Sequence, residues 1–272
     1  MTVADVIERT HEPVTTDSFA RDLGRLGVGT DDVVLVHSSL SSLGWVNGGA
    51  VAVIQALLRA VGPAGTLVMP THSTELTDPA NWRAPPVPSE WIETIRATMP
   101  PYDPATTPTS DVGRIAELFR TWPGAVRSDH PSASLAALGP LAEQITKSHP
   151  LDDPHGPGSP LGALYRLGAK VLLIGVDFDR CTCLHLAEHM LWPERPRVRE
   201  GAPLLVDGGR QWVSFETLPV LDSDHFLPVG ADILREGIAT AGPLGEGRGI
   251  LGSLRSIVDH AMRLWEGKPI PA

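Results

Sequence analysis

Two solid apolar runs, VVLV at 33–36 and TLVMP at 66–70, enclose a segment whose apolar residues recur at helical spacing. That arrangement constrains the fold more than any other feature of the chain. A short apolar run without polar alternation suits a strand covered on both faces. Between the runs, Ala50, Val53, Ile54, Leu57, Leu58 and Val61 share one helical stripe, which GPAG at 62–65 closes. Strand, loop, helix, turn, strand is a βαβ unit. Such a crossover is right-handed and joins parallel strands. A third solid run, KVLLIG at 170–175, extends the pattern. The sequence therefore predicts an α/β fold with a central, mostly parallel sheet flanked by helices. The sheet contains 33–37, 66–70 and 170–175, and ligands are expected at the carboxyl ends of these strands.

Other elements follow from caps and breakers. TDSFARDLGRL (16–26) reads as a helix capped by Thr16, with Phe19, Leu23 and Leu26 on one face and Gly27 at its end. DVGRIAELFRTWPG (111–124) is a helix stopped by Pro123-Gly124, SLAALG (134–139) a strand, and GPLAEQITKS a further helix. SPLGALYRLG (159–168) has Ser159 as cap, Pro160 at the first helical position and Gly168 at the end. After the strand at 170–175 the chain turns and enters a helix that must stop near Pro193. PLLVDGGRQWVSFETL, from 203, is a hairpin turning at Asp207-Gly208-Gly209. The tail, 250–266, reads as a helix with Leu251, Leu254, Ile257, Val258, Ala261 and Leu264 inward.

Residues 75–108 differ: proline is dense, and Trp82, Trp91 and Tyr102 punctuate an irregular excursion with one short helix at 89–98. Prolines there exclude a continuous helix or a central strand. Long excursions of this kind tend to be functional or lid-like. With no linker or repeat, the 272 residues read as a single domain, 1–272, carrying this insertion.

The formal net charge of −10 argues against nucleic acid or an anionic membrane as the main partner. No apolar run approaches the length of a membrane span. The first residues carry Asp5 and Glu8 and lack the apolar stretch of a signal peptide. Cys181 and Cys183, C-x-C and alone, form no disulfide framework and fit a reducing, cytoplasmic setting.

Three segments carry candidate chemistry. VHSSLSSLGWVNGGA (36–50) leaves one strand and opens a helix. Its small residues and helix-start N–H groups suit an anion such as a phosphate, although it is neither a dinucleotide fingerprint nor a Walker loop. As plain structure it is a Gly-rich connection with serine caps. LHLAEH (184–189) places His185, Glu188 and His189 on one helix face. An imidazole beside a carboxylate makes a general base, because the carboxylate fixes the tautomer and stabilises the cation. The same H-x-x-E-H spacing admits a zinc site, for which no third ligand is evident. RSDHPSAS (127–134) reads as a polar turn before a strand. His11, His72, His149, His155, His225 and His260 receive no role from spacing.

These segments, in this order, resemble the aminoglycoside 3-N-acetyltransferase family, which is distinct from the GNAT fold. The resemblance rests on VLVHSSLSSLGWVNGGAVAVIQALL, GTLVMPTHS, TPTSDVGRIAELFR, RSDHPSASLAALG, SPLGALYRLGAKVLLIGVDFDRCTCLHLAEHM and the GAPLLVDG hairpin. It implies acetyl transfer from acetyl-CoA, as co-substrate and without a metal, to an amine of a small polycation, the 3-amino group of an aminoglycoside. By the same resemblance His185 is the catalytic base, Glu188 its support and His130 a further site residue. His37, Ser38, Ser39, Leu40, Ser42 and Thr71 then line the coenzyme channel. Asp177, Asp179 and Glu188 lie where a cationic acceptor would want carboxylates. The excursion 75–108 becomes an acceptor-side lid or wall. A homodimer is compatible with this reading. A zinc amidohydrolase, a non-catalytic binder, and a family member acting on a non-antibiotic amine are the alternatives.

Overall fold

The computed structural model describes residues 2–271. In chain order its helices and strands are α1 (Val3–Glu8), α2 (Thr16–Leu26), β1 (Val33–Ser38), α3 (Gly49–Val61), β2 (Thr66–Pro70), α4 (Ile92–Thr98), α5 (Gly113–Arg120), β3 (Val126–Arg127), β4 (Leu135–Leu138), α6 (Ala142–Thr146), α7 (Pro160–Leu167), β5 (Lys170–Ile174), α8 (Cys183–Leu191), β6 (Val198–Val206), β7 (Gly209–Thr217), α9 (Phe226–Arg235), β8 (Ala239–Leu244), β9 (Gly247–Ser253) and α10 (Leu254–Trp265).

A seven-stranded sheet in the order β3-β4-β2-β1-β5-β9-β8 forms the middle layer, and β6 pairs only with β7. The three strands read from the apolar runs lie side by side and parallel, with Leu35 opposite Val68 and Val171. The expectation of a mostly parallel sheet needs correction. β4 on one side and β9 on the other join this trio antiparallel, and β3 and β8 extend the sheet antiparallel. The parallel centre needs helical crossovers, whereas β8 and β9 are joined by a tight turn that returns the chain directly.

The alternation of β1 explains the layering. Leu35 joins Val68, Val171 and Leu173 in a core covered by α6 to α10. Val34 and Val36 join Leu67, Met69, Leu172 and Ile174 in a second core beneath α2, α3 and α5. Fully burying one such side chain contributes about 1.5–3 kcal/mol, and both faces of the central strands are buried in this way.

Helix ends largely follow the sequence signals. Ser159 Oγ accepts from Leu161 N–H at 3.2 Å, and Gly168 takes the left-handed conformation that ends α7. α2 is capped by Thr15 rather than Thr16. The hairpin turn is Asp207-Gly208, both at positive φ, as a type I′ turn demands. The tail helix begins only at Leu254, because 247–253 is strand β9. A Cβ on Gly249 would lie 2.7 Å from Leu26 Cδ2, and one on Gly252 2.9 Å from Ala239 Cβ. These glycines let α2 and β8 approach the strand closely, at the expense of a readable strand pattern.

Candidate active site

The carboxyl ends of β1, β2 and β5 open into one cleft of about 1200 Å³. β1 delivers His37 and Ser38 to it. Ser39 N–H then donates to the Ile174 carbonyl, and a 3₁₀ turn over Leu40–Leu43 folds the loop across the end of β5. Gly175 permits this approach: its φ is +61°, and a Cβ there would lie 1.6 Å from Ser42 Oγ. The loop is stitched on its other side to the N-terminal segment. Val14 N–H donates to the Trp45 carbonyl, Asn47 N–H to the Val14 carbonyl, and Arg9 to the Ser41 carbonyl. Thr2, Val3 and Val6, around α1, thereby form part of the cleft rim.

Helix α8 starts beside this opening and presents the expected pair. His185 Nδ1 donates to Glu188 Oε2 at 2.8 Å, one turn apart. Glu188 is fully buried and His185 lies at the cleft wall. The carboxylate fixes the ring so that its other nitrogen, Nε2, is the one free to accept a proton.

Histidines given no role by spacing gather here as well. His72, following β2, lines the cleft, as does His37. Burial, reinforced by neighbouring imidazoles, pushes the His37 ring down to about 3 and His72 to about 4. Both are neutral at physiological pH, and Nε2 of each is buried without a hydrogen-bond partner. Behind them His155 packs its ring 5.3 Å from His185 and 5.5 Å from His189. His189 faces Asp153, with Nδ1 at 2.5 Å from Oδ1, and not Glu188. The H-x-x-E-H residues therefore diverge to two separate carboxylate partners. Among the described residues no group of three or more His, Cys, Asp or Glu side chains is placed to hold a metal ion. A position directly after a buried strand was the sequence signal for His72. His155, in a Pro/Gly loop, offered none.

Several expected site residues lie elsewhere. Ser38, Ser39 and Leu40 line the cleft with His37, but Ser42 turns inward and donates to the Ser39 carbonyl at 2.6 Å. Thr71 and His130 are buried behind the wall rather than in it. His130 Nδ1 accepts the Ala133 N–H at 3.0 Å, and its ring lies 4.6 Å from that of His149. Arg127 explains this segment: its guanidinium donates to the Thr71 and Thr107 carbonyls and to Ser73 and Ser134 Oγ. It is a strut that fixes the chain on either side of His72. Of the acids, Asp179 lines the cleft and Asp111 joins it, whereas Asp177 caps the turn at Phe178 and Glu188 is committed to His185. None of the described residues 75–108 lines the cleft. That segment lies against the β6–β7 hairpin, with Tyr102 N–H donating to the Pro203 carbonyl and Arg210 to the Met99 carbonyl.

Residues 35–266 match the family model described as aminoglycoside 3-N-acetyltransferase. The chain belongs to the aminoglycoside 3-N-acetyltransferase family. It is 46% identical over 257 residues, 94% of each chain, to the SPbeta prophage-derived aminoglycoside N(3')-acetyltransferase-like protein YokD of Bacillus subtilis (strain 168). Aminoglycoside N(3)-acetyltransferase VII of Streptomyces paromomycinus is 38% identical, over 97% of this chain and 95% of that one. The crystal structure of YokD superposes with a TM-score of 0.94, covering 98% of this chain and 100% of that one at 44% identity. A structure described as AAC-IIIb binary with CoASH gives 0.84, at 33% identity over 96% and 100%. An aminoglycoside 3-N-acetyltransferase needs room for a long thioester and a place for its phosphates. The cleft offers a Gly-rich approach to the N-terminus of α3, and Arg114, which has no ion-pair or hydrogen-bond partner among the described residues.

Proposed function

We propose that this chain transfers the acetyl group of acetyl-CoA to an aminoglycoside, at the 3-amino group, with His185 as general base and Glu188 as the carboxylate that orients it. The observation that carries this reading is the 2.8 Å contact between His185 Nδ1 and Glu188 Oε2 at the wall of the cleft. Acetyl-CoA supplies an acyl group activated as a thioester. As the acceptor nitrogen forms its bond to the acetyl carbon and the carbon–sulfur bond breaks, His185 Nε2 takes the proton the amine must lose. The buried Glu188 charge stabilises the resulting imidazolium. His37 and His72, held neutral, do not repel a polycationic acceptor, and Asp111 and Asp179 attract it. Ser38, Ser39, Leu40 and the N–H groups opening α3 are assigned to the coenzyme, with Arg114 toward its phosphates. Holding the two substrates in reacting geometry supplies much of the remaining acceleration. Because acetyl-CoA is an intracellular metabolite, the compartment this reading assigns to the reaction is the cytoplasm.

The test is free-thiol release from acetyl-CoA across a panel of aminoglycosides and simple amines, with mass spectrometry of the products. Thiol release with aminoglycosides and a monoacetylated product are expected. Binding of acetyl-CoA with no thiol release for any amine would reduce the protein to a binder, and release with simple amines alone would replace the acceptor.

A further inference from the structure

Glu188 carries two carboxylate oxygens into a fully buried position, and His185 satisfies only one of them. A buried carboxylate left half-paired is costly. The second oxygen, Oε1, has His225 Nε2 at 2.8 Å, an ion-pair distance although off the line of a hydrogen bond. His225 ends the 3₁₀ turn Ser223–His225 that leads into α9, far from α8 in sequence. Its ring is wedged, 4.5 Å from Phe226 and 5.2 Å from Trp265. Its Nδ1 rests against the Asp222 carbonyl. One nitrogen therefore faces a carbonyl oxygen and the other a carboxylate oxygen, so the ring meets acceptors at both ends. Arg195 approaches the same glutamate from another side, donating to its backbone carbonyl at 3.1 Å.

We infer that His225 is a positioning residue for the acetyl transfer: it holds Glu188 Oε1 so that Oε2 stays aimed at His185 Nδ1. The inference rests on the function proposed above only for its kinetic readout. Phe226 contacts both rings, 4.8 Å from His185 and 4.5 Å from His225, so one apolar side chain sets the separation of the two imidazoles across the carboxylate. With His225 removed, Glu188 is free to rotate and His185 loses its fixed tautomer, while the coenzyme wall of the cleft is untouched.

Two measurements on the full chain test this. The first needs no acceptor: the downfield proton resonance of His185 Nδ1–H is recorded for the free parent protein, His225→Ala, His225→Gln and Glu188→Gln. The signal should shift or broaden in His225→Ala, return toward the parental position in His225→Gln, whose amide N–H can reach Oε1, and move furthest upfield in Glu188→Gln, whose neutral amide oxygen is the weaker acceptor. The second is thiol release with gentamicin as the acceptor. His225→Ala should lower kcat about tenfold with KM for acetyl-CoA within about twofold. In a Glu188→Gln background it should cost nothing further, because its effect passes through the glutamate. An unshifted His185 resonance in a folded His225→Ala protein, or a full additional loss in the double variant, would overturn the inference. If His225→Ala does not fold, His225→Gln carries the test, and an altered resonance with the kcat loss of Glu188→Gln counts against the assignment. If the parent shows the resonance pattern but no thiol release with any amine, the proposed reaction fails while the positioning role stands.

Discussion

Ser42 sits directly over Gly175, so that a Cβ on the glycine would fall 1.6 Å from Ser42 Oγ and 2.2 Å from Ser42 Cβ. The 39–43 turn, assigned above to the coenzyme, rests on the end of β5 only because this position has no side chain. Gly175→Ala should therefore displace the 39–43 turn, raise the acetyl-CoA KM about tenfold and cost about 1–3 kcal/mol of stability. Steady-state kinetics and a urea titration measure the two effects. Adding Ser42→Gly should recover part of the KM loss but not the strain of a non-glycine residue at φ +61°.

His185→Ala should lower kcat by about 10²–10⁴-fold and leave acetyl-CoA affinity, measured calorimetrically, near the parental value. Glu188→Gln should cost less, since it keeps a side chain that still reaches the ring. Near-parental turnover of His185→Ala would place the base elsewhere.

Acid should unfold this protein earlier than its carboxylates alone would require. His37 and His72 are held near 3 and 4 by burial, against an ordinary value near 6.5. Their unfolded forms bind protons that the folded forms refuse, so stability is complete above about pH 6.5 and falls as pH drops toward 4. At pH 5 each group costs about 2 kcal/mol. Urea midpoints at pH 7.5 and pH 5 should differ accordingly, and His37→Asn should flatten the difference. His130, His149, His155 and His189 are shifted in the same direction by burial and steepen it.

Arg127→Ala should be among the most destabilising single changes, at about 3–5 kcal/mol, because it leaves the Thr71 and Thr107 carbonyls and Ser73 without their buried donor. Thermal denaturation checks this. Arg127→Lys should rescue little, because an ammonium cannot span donors at both ends as the guanidinium fork does.

The central trio of strands and their carboxyl-edge cleft were legible because each strand is an unbroken apolar run between breakers. The antiparallel wings were not. β8 and β9 are built from ATAGPL and GRGILGS, whose glycines answer to the proximity of Leu26 and Ala239 and hide any alternation. His185 and Glu188 were legible because their pairing is local, within one helical turn. His72, His155 and His225 reach the same site from three unrelated loops, and only the folded chain brings them together. Thr71 and His130 carry family motifs, yet both lie buried behind the wall, Thr71 through its carbonyl's bond from Arg127 and His130 through its bond from the Ala133 N–H.

The stitching of the N-terminal segment to the 39–48 loop bears on how the protein can be handled. Because Thr2, Val3 and Val6 lie on the rim of the cleft, any polypeptide joined ahead of them leaves the molecule at its mouth. An affinity tag or fusion partner placed there would crowd the cleft assigned above to the coenzyme, whereas one appended beyond α10 follows Trp265, which packs against His225 behind the catalytic pair and does not line the cleft. Activity compared between the two kinds of fusion would expose that asymmetry before any residue of the site is altered.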